Sequence, residues 1–133
     1  MTFEPESALP AGAEPTTYNL LFVCTGNTCR SPLAAAISRQ AIELRGWSHV
    51  QVRSAGIAAL PGTPASEGAI EVAAEHGIDL GSHSAHQLNA DLVAWADLVL
   101  CMSTSHFAAV VDLGGAAKAA LVTDFQMDDA VGG

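Results

Sequence analysis

The sequence predicts a single α/β domain built on a parallel β-sheet, and three of its features lead to this prediction. The chain has 133 residues, half of them hydrophobic, which is enough for one buried core and too short for two. Aromatic residues make up only 5%, so small aliphatic side chains must do most of the packing, as in closely approaching helices. Short apolar runs alternate with helical patterns, which is typical of parallel sheets with right-handed crossovers.

The first predicted elements are a strand, a tight loop and a helix. Residues 19–24 form a continuous apolar run bounded by turn formers, which predicts a short strand buried on both faces. Ser31 and Pro32 are typical of a helix start. Apolar residues then recur at helical spacing as far as Leu44, and Gly46 ends the pattern.

The middle of the chain predicts a second strand, a loop and a second helix. Residues 50–54 alternate between apolar and polar side chains, as strand residues do. Segment 55–64 is rich in Gly and Pro and predicts a loop. Residues 66–76 predict a helix that ends at Gly77.

The remaining predicted elements follow a loop at residues 79–88. Asn89 is a candidate N-cap for a short amphipathic helix, and Ser103 is one for a later helix. Two further strands are predicted, at residues 97–102 and 119–122.

Charge and cysteine content restrict the partners and the compartment. Five basic residues stand against fourteen acidic ones, a formal charge of −9, which argues against nucleic acid or an anionic membrane as a partner. Residues 1–17 contain several Pro and Glu but neither a basic nor an apolar signal region, so we expect a flexible tail. Without an export signal, Cys24, Cys29 and Cys101 are expected in a reducing cytoplasm.

The loop from Cys24 to Arg30 is the strongest candidate for a functional site. A Cys followed six residues later by an Arg is a weak signal alone. Here, however, the Cys lies where a buried strand is predicted to end, and the Arg lies where a helix is predicted to begin. Open α/β sheets bind their ligands at such positions.

Each residue type in this loop suits the binding of an oxyanion. A loop that leads into a helix N-terminus directs several backbone N–H groups inward, and Gly26 permits a conformation that a side chain would forbid. Arg30 offers a planar fork of donors that matches two phosphate oxygens. The same positive field favours a thiolate at Cys24, and Ser31 can donate a hydrogen bond to its sulfur.

Three further residues have a supporting or an alternative role. Asn27 is expected to brace the loop through its side-chain amide. Cys29 is either a small buried packing residue or a resolving thiol that forms a reversible disulfide with Cys24. Cys101 lies within a predicted buried strand and is expected to belong to the core.

The segment VCTGNTCRSP, from Val23 to Pro32, resembles the signature of the low-molecular-weight protein tyrosine phosphatase family. Further blocks agree in order and spacing: Ser54-Ala55-Gly56, Gly77-Ile78-Asp79-Leu80, His83 followed by Gln87-Leu88, and the run from Ala96 to Met102. The resemblance covers Tyr18 to the end of the chain, so the predicted phosphatase domain is residues 18–133.

This resemblance implies a four-stranded parallel sheet flanked by helices, a Rossmann-like fold of the phosphotyrosine phosphatase I type. It also implies phosphoryl transfer in two steps through a phosphocysteine, with no cofactor. Cys24 and Arg30 would be catalytic, Ser31 supporting, and His83 either a brace for the loop or an ordinary polar surface residue. The phosphate-binding residues would be Thr25, Gly26, Asn27, Thr28, Cys29 and Arg30.

The family's general acid is an Asp in an Asp-Pro-aromatic loop near the C-terminus. Alignment of the final Gly pair gives Asp129 this role, with Asp128 as the alternative and an acidic solvated turn as the simplest interpretation. Ala130 and Val131 replace the usual Pro and aromatic residue, which leaves the preference for phosphotyrosine open. The family's final helix also has no counterpart before Gly133.

Two other functions compete with a phosphatase acting on phosphorylated protein or small phosphate esters. An arsenate reductase of the same fold would need further cysteines after the second helix, and residues 79–88 contain none. A phosphate-binding regulatory module would keep the loop without acid catalysis. Phosphotyrosine, phosphoarginine and small esters remain candidate substrates, and the sequence does not indicate an oligomeric state. The other four histidines show no spacing typical of a zinc site: His49, His76, His86 and His106.

Overall fold

A four-stranded parallel sheet with the strand order β2-β1-β3-β4 forms the centre of the computed structural model, which describes residues 17–122. The strands are β1 (Tyr18–Cys24), β2 (Val50–Gly56), β3 (Leu98–Cys101) and β4 (Ala119–Leu121). The helices are α1 (Arg30–Leu44), α2 (Glu67–Glu75), α3 (Ala90–Trp95) and α4 (Thr104–Asp112). The predicted fold class, a single α/β domain with a four-stranded parallel sheet, is confirmed.

The central strand β1 determines where the candidate site lies. It pairs with β2 and β3 in parallel register, so that Cys24 lies opposite Gly56 and Val23 opposite Cys101. The carboxyl ends of three strands therefore meet at one edge of the sheet. Below this edge, the side chains of Leu21, Val23 and Val99 are fully buried, which fixes the strand that ends at Cys24.

Side chains cap two of the helices, and one of these caps, that of Asn89, was predicted. Ser66 Oγ accepts a hydrogen bond of 3.1 Å from Ala69 N at the start of α2. Asn89 Oδ1 accepts one of 2.8 Å from Leu92 N at the start of α3. Each bond satisfies a backbone donor that the first turn of a helix leaves free.

Other details of the prediction were wrong. The strand predicted at residues 50–54 continues to Gly56, because β2 stays paired with β1 up to Cys24, which lies opposite Gly56. Ser103 occupies the N-cap position of α4 but makes no side-chain cap bond, because its hydroxyl contacts Ser105 and His106 instead.

Several expectations fall outside the described residues. The predicted tail does so except for Thr17, and so do Asp128, Asp129 and the rest of segment 123–133. Within residues 17–122, no helix has the length and apolar character needed to span a membrane.

Candidate active site

The loop 25–29 joins the end of β1 to the start of α1 at Arg30. Cys24 is only 4% exposed at the strand end, whereas Arg30 is exposed. The backbone N–H groups of Gly26, Thr28 and Cys29 donate to no acceptor among the described residues. These donors and the positive end of α1 are therefore available to an anion.

The sulfur of Cys24 has two polar neighbours. Ser31 Oγ lies 2.8 Å from Sγ, the contact that the sequence predicts, and the backbone N–H of Asn27 donates to Sγ over 3.3 Å. Ser31 is fully buried. Because an ionised sulfur can only accept hydrogen bonds, both neighbours can donate to a thiolate.

Asn27 connects the loop to the structure behind it. Its side-chain Nδ2 donates to Ser31 Oγ and to Ser54 Oγ, each over 2.9 Å, and Oδ1 accepts from His86 N over 2.8 Å. The side chain is fully buried. Its backbone has a φ of 57°, a left-handed conformation that Asn tolerates better than most residues. The predicted contacts through the amide are thus present.

A second layer of contacts holds the backbone of the loop from outside. His83 Nε2 lies 2.7 Å from Asn27 O, which favours the interpretation of this histidine as a brace over that of an ordinary surface residue. Ser66 N donates to Thr28 O over 2.8 Å. The segments that follow β2 and α2 therefore both contact the loop.

Gly56 lets the end of β2 approach the loop more closely than any other residue type would. A Cβ atom at this position would lie 2.4 Å from Thr25 O and 2.8 Å from Asn27 N. Beyond Gly56, Ile57 N donates to Cys24 O and Ala58 N to Thr25 O, over 3.0 and 2.9 Å. In the sequence, Gly56 belongs to a block that resembles the family, but its spacing does not predict this contact.

The three cysteines differ in environment, and all are free. Cys29 is exposed, so its interpretation as a buried packing residue was wrong, whereas its role as a resolving thiol stays a prediction. Cys101 is fully buried, as predicted for a core residue. Burial raises the pKa of its thiol to about 11, which keeps this sulfur protonated at neutral pH.

His106 is a site residue that sequence reasoning missed. It was considered only as a metal ligand, yet its side chain is 1% exposed and its Nε2 lies 2.9 Å from Thr25 Oγ1. Its Nδ1 lies 3.1 Å from Ser103 Oγ. Burial, and secondly the charge of Arg30, lower the pKa of this imidazole. One sequence feature could have indicated this role. His106 lies three residues after Ser103, the predicted N-cap that directly follows a buried strand.

The segment after β2 forms one wall beside the loop. Gln87 holds this wall, because its Nε2 donates to Ile57 O over 3.0 Å and its Oε1 accepts from Ala59 N over 2.8 Å. Leu60 is 75% exposed there, and residues 57–60 contain no aromatic side chain.

Within residues 17–122, no three His, Cys, Asp or Glu side chains are grouped closely enough to hold a metal ion. A cavity of about 910 Å³ lies between α1, β2 and segment 77–83 and is lined by no residue from Cys24 to Ser31. We assign the candidate chemistry to the loop rather than to this cavity, because the free backbone donors and the Cys24 sulfur lie together in the loop.

Residues 19–130 match the family model of low molecular weight phosphotyrosine protein phosphatases. The chain is 53% identical over 83 residues to a probable low molecular weight protein-tyrosine-phosphatase, EpsP, of Ralstonia solanacearum, covering 62% of this chain and 54% of that protein. It is 43% identical over 95 residues to a protein-arginine-phosphatase of Geobacillus stearothermophilus, covering 71% and 61%. The matches thus span less than two thirds of the length of these relatives.

Solved structures agree with these sequence matches. A low molecular weight protein tyrosine phosphatase from T. tengcongensis superposes with a TM-score of 0.76 at 40% identity, covering 82% of this chain and 76% of that one. YfkJ from Bacillus subtilis superposes with a TM-score of 0.82 at 27% identity, covering 90% and 78%.

Proposed function

Because the chain belongs to the low-molecular-weight phosphotyrosine protein phosphatase family, we propose that it hydrolyses phosphate monoesters on proteins, phosphotyrosine foremost, through a phosphocysteine at Cys24. One observation carries this proposal. A buried cysteine sulfur at the end of the central strand accepts a hydrogen bond from Asn27 N and lies 2.8 Å from Ser31 Oγ. Within residues 17–122, the backbone N–H groups of Gly26, Thr28 and Cys29 have no acceptor, so the same loop can hold a phosphoryl group and present a nucleophile to it.

In the first step, Cys24 Sγ attacks phosphorus, a sulfur–phosphorus bond forms, and the bond from phosphorus to the ester oxygen breaks. Arg30 and the loop amides hold the phosphoryl oxygens and stabilise the charge that develops on them. The leaving oxygen takes a proton from Asp129, or from Asp128 as the alternative acid. Both carboxyl groups lie outside the described residues.

In the second step, water attacks the phosphocysteine, and the same carboxylate accepts the proton that the water loses. Inorganic phosphate leaves and the thiolate of Cys24 returns. Ser31 stabilises the anionic sulfur, and Asn27 and His83 keep the loop in the conformation that both steps need. The step through the thiolate suits a reducing cytosol, where we propose that the protein acts.

Phosphoarginine on protein is a second candidate substrate. One relative bears the name protein-arginine-phosphatase, and residues 57–60 of this chain offer no aromatic ring for stacking against a phosphotyrosine side chain. An arsenate reductase is less well supported. Of the two cysteines other than the nucleophile in residues 17–122, Cys101 is fully buried and only Cys29 is exposed.

Turnover of p-nitrophenyl phosphate by the wild type, Cys24→Ser and Cys101→Ala tests the nucleophile. This substrate has a leaving group that needs little protonation, so its hydrolysis reports on Cys24 and the loop even where acid catalysis is weak. We expect Cys24→Ser to abolish turnover. Cys101→Ala removes a buried core cysteine of β3 that is not part of the loop, and it should leave turnover of the folded protein in place.

The remaining arms of this experiment separate the rival functions. Accumulation of a phosphocysteine in Asp129→Ala would identify Asp129 as the acid and base. Rates for phosphotyrosine and phosphoarginine peptides identify the substrate class. Wild-type protein that binds phosphate but shows no turnover at any pH would instead be a binding module. Thiol oxidation that depends on arsenate would favour the reductase, and turnover that persists in Cys24→Ser would exclude this cysteine as the nucleophile.

A further inference from the structure

His106 lies in the first turn of α4, yet it contacts the residue that directly follows the candidate nucleophile. Its Nε2 is 2.9 Å from Thr25 Oγ1 and its Nδ1 is 3.1 Å from Ser103 Oγ. The side chain is 1% exposed, so water cannot readily replace either partner. A buried imidazole with a hydroxyl on each side is a fixed polar link between α4 and the loop.

A neutral imidazole at His106 can form both of these hydrogen bonds. Burial first, and the nearby positive charge of Arg30 second, lower its pKa, so the neutral form predominates at physiological pH. A neutral imidazole has one donor and one acceptor nitrogen. Both hydroxyl partners can donate or accept, so either tautomer keeps both hydrogen bonds.

Thr25 is the point where this link reaches the loop. Its backbone carbonyl accepts from Ala58 N over 2.9 Å, and the same carbonyl lies against Gly56. The backbone of Thr25 is therefore held from the side of β2, and its side chain is held from the side of α4. Because Thr25 directly follows Cys24, any rotation of this residue alters the first peptide of the loop.

We propose that His106 is a positioning residue that fixes the side chain of Thr25 and thereby the first turn of the phosphate-binding loop. The inference rests on the proposed phosphatase activity. The hydrogen-bond partners of the imidazole are the hydroxyl groups of Thr25 and Ser103 rather than the Cys24 sulfur, so its effect passes through the Thr25 hydroxyl. Its loss should misalign the loop donors with the transition state, which lowers kcat more than it raises KM.

The test compares Thr25→Val, His106→Leu and the double variant in p-nitrophenyl phosphate turnover. Thr25→Val removes only the hydroxyl of a residue with an exposed side chain, so this variant should fold even if His106→Leu does not. The loss of one neutral hydrogen bond corresponds to roughly a 3- to 10-fold decrease in kcat for each single variant. The double variant should be no slower than the slower single variant, because both changes break the same link.

Two further variants distinguish positioning from a general structural effect. His106→Gln keeps a polar group able to reach Thr25 and should recover most of the lost kcat. Val110→Ala opens a cavity in the same helix at a fully buried position. It should lower the melting temperature with little effect on the kcat of the folded enzyme.

The experiment distinguishes failure of the positioning role of His106 from failure of the proposed phosphatase activity. Wild-type protein without Cys24-dependent turnover would overturn the phosphatase assignment itself. An active wild type whose kcat is unchanged in Thr25→Val would overturn the positioning role alone. Independent, multiplicative losses in the double variant would overturn it as well.

Discussion

Asn27 illustrates how much of the candidate site depends on single side chains. Its amide joins the loop to Ser31, to Ser54 on β2 and to the backbone at His86, and its own backbone N–H points at the Cys24 sulfur. Its backbone carbonyl also contacts His83. The residue type was predicted to brace the loop, but these partners come from distant parts of the chain and could not be read from spacing.

The loop leaves no space for a side chain at Gly56. Substitution of this single residue should therefore affect both stability and activity. Gly56→Ala should lower the free energy of unfolding by about 1–3 kcal/mol, since the added Cβ would overlap Thr25 O and Asn27 N. It should also reduce kcat/KM, because the atoms that must move belong to the loop that carries Cys24 and Arg30. Chemical denaturation and p-nitrophenyl phosphate kinetics measure the two effects.

Gly68→Ala is the matched control for this substitution. Gly68 lies in α2, and a Cβ atom there would meet nothing within 4 Å. Alanine should stabilise this helix by roughly 0.5–1 kcal/mol without a change in activity. Equal behaviour of the two variants would contradict the close approach of β2 to the loop.

Among the secondary-structure elements, α3 makes a contact with Lys118 that no local sequence pattern predicts. Helix α3 has only six residues, and short helices depend on contacts with the rest of the fold. Lys118 Nζ donates to Val93 O and Ala96 O over 2.8 and 2.7 Å. A positive charge thus satisfies carbonyl groups at the C-terminal end of α3, where the helix dipole is negative.

Lys118→Met tests this contact at the scale of the element. Methionine keeps most of the apolar stem but removes the donors, so we expect a loss of about 1–3 kcal/mol in the free energy of unfolding. Activity of the folded protein should stay close to that of the wild type, because Lys118 contacts no residue of the loop. Urea denaturation is the measurement, and unchanged stability would show that the two carbonyl groups do not depend on Lys118.

For the molecule as a whole, the net charge of −9 should repel the anionic substrate that we propose. The loop itself should attract the phosphoryl group through Arg30 and its backbone N–H groups. Basic residues flanking a phosphotyrosine should therefore favour binding, whereas acidic residues should disfavour it. We expect kcat/KM for a Lys-flanked phosphotyrosine peptide to exceed that for a Glu-flanked one by about tenfold at low ionic strength. The ratio should fall as added salt screens the surface charge.

Steady-state kinetics with both peptides, from low to physiological salt, measure this ratio. A peptide of the same length with uncharged flanks serves as the reference. Preference for the acidic peptide, or a ratio that does not depend on salt, would show that local contacts outweigh the overall charge.

The fold class and the position of the candidate site could both be predicted from the amino-acid sequence. Alternating apolar runs and helical patterns predicted the parallel sheet, and the strand, loop and helix around Cys24 and Arg30 predicted an oxyanion site at its carboxyl edge. These features are local, because hydrophobic period, capping residues and turn formers act over a few neighbouring positions.

The groups that approach that site from distant parts of the chain became visible in the folded structure. His106, Gly56 and Gln87 reach the loop or its neighbouring wall from other segments, and Cys29 proved exposed where a packing role was one interpretation. Such contacts depend on strand order and register, which bring residues together across long stretches of chain. Their energies are set by burial and hydrogen-bond geometry, and neither quantity is encoded in the spacing of residues along the sequence.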